Sequence, residues 1–152
     1  METKANKSIK NSTDFDYRVI KTFEDACKKL KLFPSVPLVS IVPERFRKRI
    51  IAAYKLMVIY EAINNGWIPD WSNNRQWKFY PILEVLPSGT GFLYSYYSSC
   101  LNRTSISSCL CTDTCDKALF IAEHFQSECL DYYFFPKESP VSEYMREFIR
   151  HP

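Results

Sequence analysis

The chain has 152 residues, 46% of them hydrophobic and 24% charged, with a net charge of +3. Those proportions exclude disordered, collagen-like and low-complexity classes, and the length suits one domain. Three glycines exclude a Gly-rich phosphate loop, and two histidines, His124 and His151, leave little for a metal hydrolase or a Ser-His-Asp arrangement.

Charge is unevenly placed. Residues 1–78 carry 15 Lys/Arg against 8 Asp/Glu, whereas residues 79–152 carry 5 against 9. A basic half attracts phosphate-bearing partners, or it simply decorates solvated faces. Residues 1–13 read as a flexible basic arm, 14–135 as one globular domain, and 136–152 as a tail that can form a short amphipathic helix capped by Ser142. The start METKANKSIKNS is polar, and the longest apolar run, Ile50 to Ile63, is broken by Lys55 and Glu61. No membrane partner is therefore expected, and six reduced cysteines are.

Thr22-Phe23-Glu24-Asp25 opens the first helix, because Thr22 caps backbone N–H groups and the acids favour the positive helix end. Pro34 and Pro37 stop it. Pro43 and Glu44 suit the first turn of a long helix through RFRKRIIAAYKLMVIYEAINN. Its positions Ile50, Ile51, Tyr54, Met57, Val58, Ile59 and Ala62 predict burial on most sides. Asn65-Gly66 ends it, Gly66 being free to turn left-handed.

Trp77–Leu86 reads as a strand, with Pro81 arguing for an edge or a bulge. Pro87 to Gly91 form a turn, Phe92–Ser98 a second strand and Ser107–Cys111 a short third. Thr112, Asp113 or Thr114 caps a last helix with apolar positions Ala118, Ile121, Ala122, Phe125, Cys129, Tyr132 and Tyr133. The predicted fold class is α+β: N-terminal helices, a small antiparallel meander, and a C-terminal helix packed on the sheet. The predicted core holds Ile51, Tyr54, Val58, Ala118, Ile121, Ala122 and Phe125.

Two groups of residues suggest binding. Arg45, Arg47, Lys48 and Arg49 crowd the start of the long helix, where the macrodipole disfavours cations, so they are candidate contacts to an anion. Trp67, Trp71, Arg75, Trp77 and Lys78 form the second group. Indoles stack on any base, or they pin a helix-to-strand connection. The strand aromatics Phe92, Tyr94, Tyr96 and Tyr97 divide likewise between a base platform and core.

The thiols Cys109-x-Cys111-x3-Cys115, with Cys100 and Cys129, lack any CxxC pair, so neither metal nor other cofactor is expected. No nucleophile has a spaced base and orienting acid, and His124 stands beside Glu123 as an ordinary helix residue. The chain is therefore read as non-enzymatic.

Two segments carry a resemblance. They are Gly66-Trp67-Ile68-Pro69-Asp70-Trp71 with Asn74, Gln76, Lys78, Tyr80 and Pro81, and Leu110-Cys111 with Thr114, Asp116, Ala118, Phe120 and Phe125. Over residues 22–133 the chain resembles a family of small proteins of Bacteroidetes genomes and their phages, a family with no assigned activity. It departs at Pro81-Ile82-Leu83, where the family has Pro-aromatic-aromatic, and at Cys109 and Cys115, where it has basic residues. The resemblance implies a phage or mobile-element protein, acting in the bacterial cytoplasm or in the virion. The expected function is binding of nucleic acid or a nucleotide-like anion, with an anti-defence role in view. The alternative is a virion structural or protein–protein assembly protein. A homo-oligomer or larger assembly is expected in both.

Overall fold

The computed structural model describes residues 15–85, 92–101 and 109–134, with the side chains of 84, 85 and 92–97 outside that description. The expected arm 1–13 and the helix in the tail 136–152 lie outside it too.

Thr22 opens α1 (Phe23–Leu30) as the sequence predicts. Its hydroxyl accepts from the Asp25 N–H at 3.1 Å, and the Asp25 carboxylate accepts from the Thr22 N–H at 3.0 Å. This reciprocal box satisfies two donors at the helix start. The Lys21 N–H, with the Thr22 hydroxyl and N–H, holds the Asp25 carboxyl below the usual carboxylate range. Lys31 closes α1 in the left-handed region, at φ 58°. The connector that follows is apolar but uncovered, with Phe33, Leu38 and Ile41 at 82%, 94% and 95% exposure.

Helix α2 (Glu44–Asn64) has 21 residues and is about 30 Å long at 1.5 Å per residue. Pro43 precedes its first turn, and Asn65 and Gly66 end it at φ 49° and φ 89°. The expectation of burial on most sides holds only for its second half. Leu56, Val58, Ile59, Tyr60, Ala62 and Ile63 are buried, whereas Ile50 and Met57 are exposed, and Ile51 and Tyr54 are half-buried. The neighbours account for this. Residues of α1 and Phe120, Ile121, Phe125 and Cys129 near the C-terminal end of the described chain join the second half in one core, while the first half is flanked by the connector.

Strands β1 (Lys78–Val85) and β2 (Phe92–Cys100) pair antiparallel. The register slips between Ile82 and Leu83, which pair with Tyr96 and Tyr94 and leave Ser95 unmatched. This is the bulge expected beside Pro81. The expected third strand, Ser107–Cys111, is corrected over its described part: residues 109–111 are not strand, 107 and 108 lie outside the description, and one bridge stands just after it, at Thr112. Phe79 and Thr112 exchange N–H···O bonds of 2.9 Å. Thr112 then turns its hydroxyl onto the Thr114 carbonyl at 2.7 Å, and a helix begins at once.

That helix is the second correction. The single C-terminal helix is two, α3 (Cys115–His124) and α4 (Gln126–Tyr133), broken at Phe125 with φ −118° and ψ 42°. The spacing of its apolar residues would suit one straight helix. The break exists because α3 lies on the sheet while α4 lies on α2. Phe125 is the buried joint, and Val58, Ala118, Ile121 and Ala122 are buried as predicted. The result is one small α+β domain. Among the described residues no helix is long and apolar enough to cross a membrane.

Candidate functional site

The C-terminal end of α2 and the loop to β1 enclose two adjoining pockets. The larger, of about 670 Å³, is mostly apolar and is lined by Leu30, Met57, Trp67, Ile68 and Trp71, with Glu61 at its wall. The smaller, of about 370 Å³, is polar and is lined by Asn65, Asp113 and Lys117, with Phe15. Asn64, Gly66 and Trp67 line both.

Asn64 is the residue that joins them. It is 6% exposed, and its Nδ2 donates to the Cys111 carbonyl at 2.9 Å. A carbonyl only accepts, so this bond orients the amide. Oδ1 is then left buried with no hydrogen-bond donor among the described residues. A buried unpaired acceptor is uncommon, because the desolvation loss is uncompensated. The surrounding charge is also acceptor-rich. Glu61 lies on one side, Asp113 on the other, and α2 directs the negative end of its dipole here. Lys117 is the local cation, but its Nζ is held at 2.7 Å by the Asp113 carboxylate.

Lys78 is taken up inside the loop and does not face a ligand. Lys78 is fully buried, and its Nζ donates to the carbonyls of Asp70, Gln76 and Asn73 at 2.6, 2.8 and 3.3 Å. Trp71 lies over the same ammonium, at 5.2 Å from the ring centre. Three N–H donors meet three carbonyls, so Lys78 is the post around which the loop winds. The Gln76 carboxamide and the Asp70 carboxylate tie the same loop. The Asp70 N–H donates to Gln76 Oε1 at 2.6 Å, and the Ser72 hydroxyl donates to Asp70 Oδ1 at 2.6 Å. The Ser72 hydroxyl and N–H hold the Asp70 carboxyl below its usual range. The Trp-Ile-Pro-Asp-Trp stretch and Lys78 are therefore one structural unit that presents Trp67 and Trp71 to the pocket.

The remaining candidates are spread out. Trp77 is 53% exposed and Arg75 is exposed, and neither lines the pockets. The basic turn stands at the other end of α2, about 30 Å away at 1.5 Å per residue. There the Arg45 guanidinium lies 4.6 Å from the centre of the Phe46 ring, and Lys48 pairs with Asp131 at 3.3 Å. Arg47 Nε donates to the Val42 carbonyl at 2.7 Å, and Nη2 to the Ser40 carbonyl at 3.1 Å. Arg49 is half-buried. One chain does not bring the two groups together. Sequence reasoning missed Asn64, Glu61, Asp113 and Lys117; the one signal was that Asn64 ends the apolar helix just before Asn65-Gly66.

Among the described residues no disulfide is formed, and all six cysteines are thiols. Burial pushes the Cys111 and Cys129 thiols up to about 12, and Cys109, at the pocket, is exposed. Among the described residues no three His, Cys, Asp or Glu side chains converge as metal ligands do. His124 donates from Nδ1 to the Phe120 carbonyl at 3.1 Å and stacks on the Phe120 ring at 4.0 Å. Comparison of the chain with protein-family models, curated proteins and solved structures gives no match.

Proposed function

We propose that this is a non-enzymatic binding protein, of phage or mobile-element origin, that takes a nucleotide-like ligand or an unpaired nucleobase of a nucleic acid. The base enters first, between the Trp67 and Trp71 side of the large pocket and Asn64. The observation that carries this reading is the buried, unpaired Oδ1 of Asn64, a residue that lines an aromatic pocket. A base edge supplies the missing N–H donor, and the indole faces supply stacking. The phosphate stays outside, since Glu61, Asp113 and the α2 terminus would repel it. This revises the purely anionic reading: the planar ring is held by the pocket and the charge by another surface.

Tryptophan-fluorescence titration with nucleosides, mononucleotides and short single strands tests it. Saturable quenching is expected, with Trp67→Leu losing about 1–3 kcal/mol of binding, the range for one base–aromatic stack. Saturable binding of nucleosides, which carry no phosphate, would support the base-first order. No quenching by any of the three rejects it. The second reading, an assembly protein, is favoured by one observation: the bare Phe33, Leu38 and Ile41 of the connector.

A further inference from the structure

Helix α2 carries a surface that the pocket does not use. Phe46, Ile50, Ala53 and Met57 recur at alternating steps of four and three, so they form one stripe. Phe46, Ile50 and Met57 are 37%, 38% and 44% exposed, and Ala53 is half-buried. Lys48 and Lys55, which pair with Asp131 and Glu128 of α4, lie about half a turn round the helix at 100° per residue. The stripe therefore faces away from α4. Continued by one more step of seven, it reaches Asn64, and Met57 itself lines the large pocket.

We propose that two copies of this chain pair antiparallel along this stripe. A second copy is the occupant because the surface complements itself. Its first half is flanked by the cations Arg47 and Arg49, and Glu61 stands at the other end. Arg47 and Glu61 lie on the same flank of the stripe, within about 40° of each other at 100° per residue. Antiparallel helices related by a two-fold axis bring like flanks together, so Arg47 meets the partner subunit's Glu61, and the contact occurs twice. The helix dipoles oppose in the same arrangement. Arg47 is already fixed by the Val42 and Ser40 carbonyls, so little freedom is lost on pairing. The connector it fixes carries Leu38 and Ile41, both almost wholly exposed. Ala53, the small residue of the stripe, lets the two backbones approach where they cross.

Pairing has a consequence for the pocket. The partner's basic first turn comes to the rim beside Glu61, where a base-first ligand would leave its phosphate. Two groups that one chain keeps apart would then serve one ligand. This consequence rests on the ligand reading above, whereas the pairing does not.

Sedimentation equilibrium of the full chain is the test. A dimer is expected at about 100 µM, well above the dissociation constant of a specific pair. Ile50→Glu and Met57→Glu should each give monomers with unchanged helical circular dichroism. Arg47→Glu and Glu61→Arg should each weaken pairing by about tenfold or more, and the double variant should restore it. Ala53→Arg, which leaves both charges in place, should also give a monomer. A wild-type monomer at that concentration overturns the proposal, whatever covers the stripe in it. So does a dimer that survives Ile50→Glu and Met57→Glu, or a charge swap without rescue. If the dimer forms and no nucleotide binds, the pairing stands and the ligand reading falls.

Discussion

The two halves of α2 belong to one helix but answer to different surroundings. In the second half, Leu56, Ile59 and Ile63 are fully buried, and the helix ends in a pocket wall. In the first half, Phe46 and Ile50 are more than a third exposed, and the polar side chains are taken up by the connector and by Asp131 of α4. An apolar run is thus not the same as a buried run. The second half reports on the core of the domain, and the first half on what lies beyond it.

The sharpest way to break that contrast is to truncate one isoleucine in each half. Ile59→Ala should cost about 2–5 kcal/mol in chemical denaturation, because the cavity is enclosed. Ile50→Ala, measured at a concentration too low for pairing, should cost less than about 1 kcal/mol, since part of its surface is already wet. Equal losses would mean that the halves do not differ.

Next in size is the loop at the far end. Lys78→Met removes the ammonium from three carbonyls and should cost about 3 kcal/mol, the range for buried polar groups left unpartnered. The Trp71 fluorescence environment should change with it. A neutral substitution would show that the loop holds its shape by other means and that the pocket does not depend on it.

A smaller effect belongs to α1, which packs beside α2. Thr22→Ala should cost about 1 kcal/mol through loss of the cap. The pH dependence follows from the depressed Asp25 carboxyl. Its folded value lies below the unfolded one, about 3.9, so its contribution is present above that pH and is lost as pH falls through the folded value. Acid titration of helicity, wild type against Asp25→Asn, should differ only below about pH 4.

The smallest perturbation is thiol labelling. Exposed Cys109 should react first with a disulfide reagent at neutral pH, and ligand in the pocket should slow it. Buried Cys27, Cys111 and Cys129, with thiols raised by burial, should wait for unfolding. Raised thiol values also predict falling stability above about pH 8.5, where the unfolded chain ionises first.

Much of the fold was legible because its signals are local. Thr22 with Asp25, Asn65-Gly66 and Pro81 each dictate backbone geometry within a few residues, and each does so in the structure. The broken helix was not legible, because Phe125 turns the chain to serve two distant surfaces and no proline or glycine marks the spot. The site was half legible. Trp67 and Trp71 stand out in the sequence, whereas only the folded loop distinguishes Lys78 from an anion contact, by the three carbonyls around it from residues up to eight positions away. For Asn64 the sequence offers only its place before Asn65-Gly66, since its importance comes from Cys111, 47 residues further along the chain.

The burial of Lys78 also governs how the chain can be cut. Trypsin needs a flexible, accessible Lys or Arg, and several extended residues around it must enter the protease cleft. Lys78 opens a strand and has no exposed surface, so the bond after it should survive as long as the domain is folded. Lys31 sits exposed at the head of the uncovered connector. Limited digestion should therefore sever the chain after Lys31 well before it cuts after Lys78.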